Sequence, residues 1–442
     1  MTMKEGKELV ATWLKAELDD YADMQSGIRR ELDKIRPART ATVSAIPCTL
    51  NLDDDSPSQP APVGVMLIAA SRTAIPELAR IEGFKPKRRD DYQNAVDSFV
   101  AWNDGDIDLA HLTPELVGAF KSALTHYPAR GSKRPAYRDL TWKERVAHAD
   151  AINEPEVLKA ETINTKYLSP LRNIFRYHQG VGLKRKLPAN PFEGLAVRKK
   201  RTAKRDSKRR EFTPREIRTM LSQPMFTGAK GTSLAPLYQR GDVRISDWRY
   251  WVPLLSLFTG ARLNEVCAIA LNDFRVEDGL HFVLIRDILE EQHGKSEAAW
   301  RRVPLHRELI RLRLPDYVAQ RRLEGGKRLF DDLQMDAFGY VSSRPSKFFN
   351  RLVDTIADPD PESPGKLVFY STRHTVIGRL RSADVRIDVA KEIVGHEDDA
   401  VHSGYGGVDL RSLKIAVDKI EYPDLDLSAV ELPEYVLPRT KS

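Results

Sequence analysis

A dense run of basic residues near the middle of the chain constrains how the polypeptide can fold. Between Arg198 and Arg210 the sequence reads RKKRTAKRDSKRR, in which nine of thirteen residues are Lys or Arg and Asp206 is the single acid. Like charges at this density repel one another, so the run is expected to stay extended unless phosphates neutralise it. The sequence therefore predicts two folding units joined by this run.

Charge alone leaves two interpretations of the run open. It is either a solvated linker or a linker that lies along a DNA backbone, and its position between two units favours the second. The whole chain carries a net charge of +7, which supports a nucleic-acid partner only weakly. The candidate phosphate ligands are Arg198, Lys199, Lys200, Arg201, Lys204, Arg205, Lys208, Arg209 and Arg210.

Composition excludes several classes of protein. Of the 442 residues 41% are hydrophobic and 30% charged, which is typical of a globular chain and not of a disordered, collagen-like or membrane-embedded one. Cys48 and Cys267 are too few for a disulfide framework or a cysteine zinc site, and they indicate a reducing compartment. The first residues lack a signal-peptide core. We expect a cytoplasmic protein without a metal.

Hydrophobic periodicity predicts a mainly α fold with a small β-sheet in the second unit, an α+β class. Residues 1–75 read as a helical appendage followed by a Pro- and Ser-rich linker, and residues 80–195 as an all-helical unit. Residues 196–211 form the basic linker, residues 212–425 the second unit and residues 426–442 a tail.

Local signals place several elements. Thr113 before Pro114, and Thr213 with Glu216 three residues later, predict helix starts with capping side chains. Pro170 lies inside a helical pattern and predicts a kink or a break.

Three further segments have distinct compositions. Residues 128–156 read as a polar, irregular insert, whereas residues 282–285 and 300–304 read as two short strands. The acidic segment Glu421 to Leu437 is expected to be a loosely held or partner-packed extension.

Two arginines in the second unit start apolar helices. Arg262 lies in TGARLNEV, where Glu265 is close enough to orient it, and Arg373 lies in FYSTRHT. His396 follows in VGH and Tyr405 in SGYGG. Each piece alone has an ordinary structural explanation, such as a salt-bridge partner, a satisfied histidine or a loop aromatic.

The order of these pieces is more specific than any one of them. With Lys295 in the turn before RRVPLH, the set from Arg262 to Tyr405 resembles the tyrosine recombinase (phage integrase) family over roughly residues 85–425. The resemblance implies that residues 80–195 are a core-binding, SAM-like DNA-binding domain and that residues 212–425 are the catalytic domain. The two would form a clamp around duplex DNA.

The resemblance also implies roles for the site residues. Arg262 and Arg373 would hold the non-bridging phosphate oxygens with their guanidinium forks. Tyr405 would be the nucleophile and form a 3′-phosphotyrosyl link. Lys295 would protonate the leaving 5′ oxygen, and His396 would hydrogen-bond the scissile phosphate. No cofactor is implied.

One position departs from the family pattern. The second arginine box usually begins with a histidine three residues before the arginine, and Tyr370 stands there in this chain. A phenol donates a hydrogen bond to a phosphate oxygen but is a poorer proton acceptor than imidazole at neutral pH. Either proton handling rests more on His396 and Lys295, or the catalytic step is slower. Alternatively, Tyr370 simply packs there.

The implied partners are double-stranded DNA attachment sites, with a monomer in solution and a homotetramer on DNA that exchanges strands through a Holliday junction. Accessory directionality or DNA-bending proteins are further partners, and no membrane is expected. The apolar helix from Leu410 to Ile420, or the acidic tail, would pack on a neighbouring protomer or on its own domain. Two other functions stay open: a type IB topoisomerase-like relaxing enzyme, and a DNA-binding protein with a weakened active site.

Overall fold

The computed structural model describes residues 64–180, 187–198, 209–286, 300–358, 365–395 and 408–432. Lys295, His396, Tyr405, residues 199–208 and the predicted appendage up to residue 63 lie outside them. The described residues form two large hydrophobic cores, one between Leu67 and Phe192 and one between Phe212 and Leu432. In the sequence, the first core precedes the basic run and the second follows it.

The first unit is helical throughout its described residues. Thr113 caps one helix through a hydrogen bond from the Leu116 N–H to its hydroxyl at 3.2 Å, as its sequence predicts. A π-helical turn, Asn164–Leu168, directly precedes Ser169 and Pro170, so the predicted irregularity is present. The helices are α1 (Leu67–Glu82), α2 (Pro86–Trp102), α3 (Pro114–His126), α4 (Trp142–Ala151), α5 (Ala160–Ile163) and α6 (Ser169–Gly180).

Helix α1 shows that the first unit begins before the predicted boundary at 75–80. Leu67, Ala70 and Ala74 are buried in the same core as α2 and α6. The Pro-rich stretch directly upstream hides this start in the sequence, because composition there reads as linker.

The segment 128–156 is more regular than its polar composition predicts, because it contains α4. A reciprocal capping box begins this helix: the Thr141 N–H donates to Glu144 Oε2 at 2.8 Å, and the Glu144 N–H donates to the Thr141 hydroxyl at 3.4 Å. Trp142 packs on Tyr127 with ring centroids 4.7 Å apart. The Thr-x-x-Glu spacing could have predicted this helix.

The second unit combines helices with one small antiparallel sheet, so the fold is mainly α with a small β component, as predicted. The strands have the order β1-β2-β3 and are β1 (Phe274–Glu277), β2 (Leu280–Ile285) and β3 (Arg301–Pro304). The helices are α7 (Pro214–Leu221), α8 (Pro224–Thr227), α9 (Leu234–Leu237), α10 (Trp248–Thr259), α11 (Leu263–Ala268), α12 (Arg307–Arg311), α13 (Leu314–Leu323), α14 (Ser343–Ile356), α15 (Ser371–Ser382), α16 (Ile387–Val394) and α17 (Leu410–Val417).

Helix α10 is the centre of the second core, since eleven of its twelve residues are buried. It ends at Gly260, whose φ of 64° is the left-handed conformation that glycine adopts without strain. A Cβ at this position would lie 2.9 Å from Val376 and 3.0 Å from Val394. The glycine therefore lets the end of α10 approach α15 and α16 closely. It also fixes the position of Arg262, two residues later.

The acidic tail is not loosely held over its described part. Tyr422, Leu427, Val430 and Leu432 are buried in the second core. The Tyr250 hydroxyl donates to the Val430 carbonyl at 2.7 Å. Apolar residues spaced among the acids make these contacts, so the expectation of a loose or partner-packed extension is wrong for residues 421–432.

Helix α17 likewise packs on its own domain. Leu410, Leu413 and Val417 are buried, whereas Ile415 is 60% exposed. Of the two alternatives left by the sequence, the structure shows the intramolecular one. No described helix has the length and apolar character needed to span a bilayer.

His306 gives the fold a specific pH dependence. The ring stacks on Phe258 at 4.4 Å, and Nδ1 accepts from the Glu308 N–H at 3.1 Å. Burial lowers the pKa of His306 to about 4, so it stays neutral in the folded state while the unfolded chain binds a proton below about 6.5. The stability it contributes is complete above pH 6.5 and is lost as pH falls towards 4.

We therefore expect the free energy of unfolding to fall by up to about 1.4 kcal/mol per pH unit in that window from this residue. His306→Asn keeps a capping acceptor but removes the titration. Urea titrations of both proteins at pH 4.5 to 7.5 measure the difference, and parallel pH profiles would contradict the assignment.

Candidate active site

Arg262 lies between α10 and α11 and is held by Glu265. Its backbone N–H donates to Glu265 Oε2 at 2.7 Å and its Nη1 donates to Oε1 at 2.8 Å. The Arg262 side chain is 46% exposed, whereas that of Glu265 is 5% exposed. The buried carboxylate thus orients a guanidinium that reaches the surface, which is the relation that their spacing predicts.

Arg301 is a second guanidinium on the same carboxylate, and sequence reasoning passed over it. Its Nη2 donates to Glu265 Oε2 at 2.6 Å and its Nε to the Ile393 carbonyl at 3.0 Å. Burial opposes ionisation of Glu265, but Arg301 and Arg262 outweigh it and lower its pKa. The carboxylate is therefore charged and ties β3 to α11, while Arg301 itself connects β3 to α16.

Arg373 lies in the first turn of α15 and is only 3% exposed. Its Nη1 donates to the carbonyls of Gly260, at 2.8 Å, and Val394. Its Nη2 donates to the Gly395 carbonyl at 3.1 Å, and Arg262 Nη2 reaches the same oxygen at 3.3 Å. The two arginines that sequence reasoning singled out therefore converge on one backbone oxygen.

Both arginines remain cationic at neutral pH. Burial and the neighbouring Arg262 lower the pKa of Arg373 to about 10, which still leaves it protonated at pH 7. These residues comprise three guanidiniums, of Arg262, Arg301 and Arg373, and one carboxylate, of Glu265. The cluster therefore carries excess positive charge.

Gly395 ends α16 inside this cluster. Its φ is 68°, and a Cβ there would lie 2.7 Å from Arg301 Nη1. Only glycine fits this approach without displacing the guanidinium. His396 directly follows Gly395 in the sequence and lies outside the described residues.

Tyr370 lies at the start of α15 and contacts one cationic side chain and one aromatic ring. The Arg209 guanidinium lies over its ring at 4.7 Å, and His374 meets it edge-on at 5.6 Å. Tyr370 lines a cavity of about 340 Å³ together with Arg209, Arg262, Leu263, Asn264, Ser342, Ser346, Asn350, Val368 and Phe369. Tyr370 and Arg262 thus line the same cavity.

The segments that carry Lys295 and Tyr405 lie outside the described residues, but their ends are placed. The segment with Lys295 lies between β2 and β3 in the sequence, and β3 starts at Arg301, which contacts Glu265. The segment with Tyr405 leaves Gly395 and returns to α17, which packs on β3 and α16. Both segments therefore start or end at elements that form the arginine cluster.

The described ends of the basic run have different environments. Arg198 is exposed. Arg210 instead forms a buried ion pair, with Nη2 2.6 Å and Nη1 2.8 Å from the two carboxylate oxygens of Glu216. The structure gives Arg210 a role in the fold in place of the predicted phosphate contact, because its guanidinium is committed to Glu216. Charge in the sequence could not separate Arg210 from its neighbours.

No metal site is visible in the described part of the chain, where no three His, Cys, Asp or Glu side chains cluster suitably. The positive charge of this site comes from guanidiniums.

Residues 245–409 match the family model described as Phage integrase family. No curated protein sequence matches the chain. A lambda integrase tetramer bound to a Holliday junction is 17% identical, with a TM-score of 0.43 and coverage of 77% of this chain and 80% of that one. The Tn1549 transposon integrase in complex with transposon right end DNA is 16% identical, with a TM-score of 0.44 and coverage of 79% and 98%.

The matched segment contains Arg262, Glu265, Arg301, Arg373 and Gly395, the residues that form the cluster described above. Residues 245–409 are thus similar to the phage integrase family, the tyrosine recombinases, over the part of the chain that holds the arginine cluster.

Proposed function

We propose that the chain is a site-specific DNA recombinase that cleaves and rejoins duplex DNA through a 3′-phosphotyrosyl intermediate and so integrates or excises a mobile element. The observation that carries this proposal is the convergence of Arg262 and Arg373 on the Gly395 carbonyl, 3.3 and 3.1 Å away, directly before His396. Two guanidiniums held this close supply the positive charge that a phosphodiester needs when its phosphorus is attacked.

The arrangement of charges suits this reaction. Glu265 is shared by Arg262 and Arg301 and offsets one of the three positive charges. The remaining excess matches the negative charge that grows on the non-bridging oxygens during attack. Backbone carbonyls hold Arg373 in place before substrate binds, so little reorganisation is needed in the transition state.

The roles of the remaining residues come from their match to the family pattern. The Tyr405 hydroxyl gives up its proton to solvent as its oxygen attacks phosphorus, the bond from phosphorus to the 5′ oxygen breaks, and Lys295 transfers a proton to that oxygen. His396 and Tyr370 hydrogen-bond the phosphate. Rejoining reverses these steps with a 5′ hydroxyl as the nucleophile, and the phosphotyrosyl bond retains the energy of the broken one.

The partners follow from the same proposal. The substrate is a pair of double-stranded attachment sites, which a homotetramer joins through a Holliday junction, with accessory directionality or DNA-bending proteins. Residues 80–195, extended upstream by α1, would be the core-binding domain and residues 212–425 the catalytic domain. In the cell the protein is expected to be cytoplasmic and associated with the nucleoid.

The basic run gives this proposal a salt-dependence test. Changing Lys199, Lys200 and Arg201 to Gln should weaken binding to all DNA sequences alike and reduce the slope of log K against log salt by roughly 0.9 for each phosphate that the variant no longer neutralises. Arg210→Gln is the matched control, because its partner is the buried Glu216 and it should lower stability with little change in slope. Filter binding between 50 and 300 mM salt measures both, and an unchanged slope in the triple variant would make the run a plain linker.

The proposal as a whole is tested with DNA from both sides of the gene, since an integrase gene usually lies beside its own attachment site. The protein is incubated with these fragments in EDTA and the reaction is stopped with SDS. We expect a covalent complex with one fragment, and no relaxation of a supercoiled plasmid that lacks that sequence. Robust relaxation of such a plasmid would favour a topoisomerase-like enzyme, and binding without any covalent complex would favour a DNA-binding protein.

A further inference from the structure

We propose that Arg209 is a positioning residue for the recombination reaction, which fixes the Tyr370 phenol and strengthens it as a hydrogen-bond donor to the scissile phosphate. The inference rests on the proposed function. It gives Arg209 a role at the reacting phosphate that differs from the general phosphate binding expected of the basic run.

The main chain around Arg209 is anchored from several sides. The Arg210 N–H donates to the Lys366 carbonyl at 3.3 Å, and the Phe212 N–H donates to the Thr375 hydroxyl at 2.8 Å. The Arg210 guanidinium is buried against Glu216, and their side chains are 9% and 1% exposed. Arg209 therefore lies next to the last residue of the basic run, at a fixed point of the catalytic domain.

Glu216 reinforces this anchor. Its carboxylate also accepts from the Thr213 N–H at 2.9 Å and from the Asp358 N–H at 2.8 Å. Breaking the pair would leave a buried charge without its partner, which is strongly unfavourable. The segment is thus held by contacts within the protein itself.

The anchor places the Arg209 guanidinium on the face of Tyr370. The charge lies 4.7 Å from the ring centroid, within the range of a cation–π interaction. A cation on the face of the ring draws electron density from the phenol, which makes its O–H a stronger donor. It also restricts the ring, whose edge meets His374 at an interplanar angle of 72°.

The surrounding charges fit this assignment. Arg209, Arg262 and Tyr370 line the same cavity of about 340 Å³. A phosphate bound at Arg262 would therefore lie in the cavity that Tyr370 also lines. Burial, Arg209 and Arg373 lower the pKa of His374, so the imidazole beside Tyr370 is neutral at pH 7. The cation on the ring face is therefore supplied by Arg209.

This arrangement gives a physical reason for tyrosine at position 370. A histidine in the usual family pattern brings its own titratable nitrogen, whereas a phenol is neutral at pH 7 and becomes a stronger donor when a cation lies on its ring. Arg209 supplies that charge from the linker side of the site. The pair Arg209–Tyr370 would then act as one unit.

A double-mutant cycle tests this coupling. A nicked DNA substrate that traps the covalent product is cleaved under single-turnover conditions with enzyme above its Kd. We expect Arg209→Ala to slow cleavage about tenfold in the native chain and by less than about twofold in a Tyr370→Phe background, where the ring is kept but the donor is lost. Arg209→Lys should restore most of the rate.

Arg218→Ala is the matched control, because Arg218 is also exposed but pairs with Asp424 at 3.3 Å and does not line the cavity. It should leave the single-turnover rate unchanged, and melting temperatures confirm that all variants are folded. If Arg209→Ala slows the Tyr370→Phe enzyme as much as the native one, or changes only DNA affinity, the positioning role is wrong. If the native chain forms no adduct, the proposed function itself fails.

Discussion

Replacing Arg373 with lysine is expected to slow DNA cleavage by about a hundredfold or more while DNA affinity changes little. Lysine keeps the positive charge but loses the planar fork. In the structure, one Nη group serves the carbonyls of Gly260 and Val394 and the other serves that of Gly395. A single ammonium group cannot reproduce this geometry and also contact a phosphate oxygen.

The measurement is single-turnover cleavage of a nicked substrate, with affinity determined separately by titration. Arg379→Lys provides a control on the same helix, since Arg379 lies 5.9 Å from the Tyr422 ring and outside the arginine cluster. It should cleave at nearly the native rate. A loss of affinity in the Arg373 variant as large as its loss of rate would contradict a role specific to the transition state.

Replacing Glu265 with glutamine should have the largest effect on stability. The carboxylate accepts from Arg301 at 2.6 Å and from Arg262 at 2.8 Å, and it is almost fully buried. Removing its charge leaves the buried Arg301 uncompensated, so we expect the free energy of unfolding to fall by about 3–5 kcal/mol. Cleavage should fall as well, because Arg262 loses the partner that orients it.

Chemical denaturation at pH 7 measures this change, and Glu277→Gln is the matched control. Glu277 pairs with Arg302 at 3.2 Å on an exposed strand, where an ion pair contributes about 0–1 kcal/mol. Because the pKa of Glu265 is lowered in the fold, its contribution is present above its ordinary pKa and is lost as pH falls below it. Equal effects of the two substitutions would show that Glu265 is not the centre of the cluster.

Much of this site was predictable from short local patterns. The glycine before Arg262 and the glutamate one turn later predict a helix start with an oriented guanidinium, and the structure contains both. The capping box at Thr213 is also present, with Glu216 in its expected place. These features depend on residues within one helical turn of one another, so the sequence carries them directly.

Long-range contacts were not predictable in this way. Arg301 and Glu265 are 36 positions apart in the sequence. No local pattern indicates that Arg301 connects Glu265 to α16. In the sequence, Arg210 cannot be distinguished from the other basic residues of its run, because its contact with Glu216 is visible only in the structure. The helix α4 was hidden for another reason, since its polar composition outweighed the Thr141–Glu144 capping signal.

The covalent link between Tyr405 and DNA is the central step of the proposed recombination, and one measurement tests it directly. The protein is trapped on a nicked attachment-site substrate, digested, and the peptide that carries the nucleotide is identified by mass spectrometry. We expect the nucleotide on Tyr405, linked through its 3′ phosphate, and no adduct when Arg373 is changed to alanine in a protein that still binds the DNA. An adduct on another residue, or an Arg373→Ala protein that forms the adduct at the native rate, would contradict it.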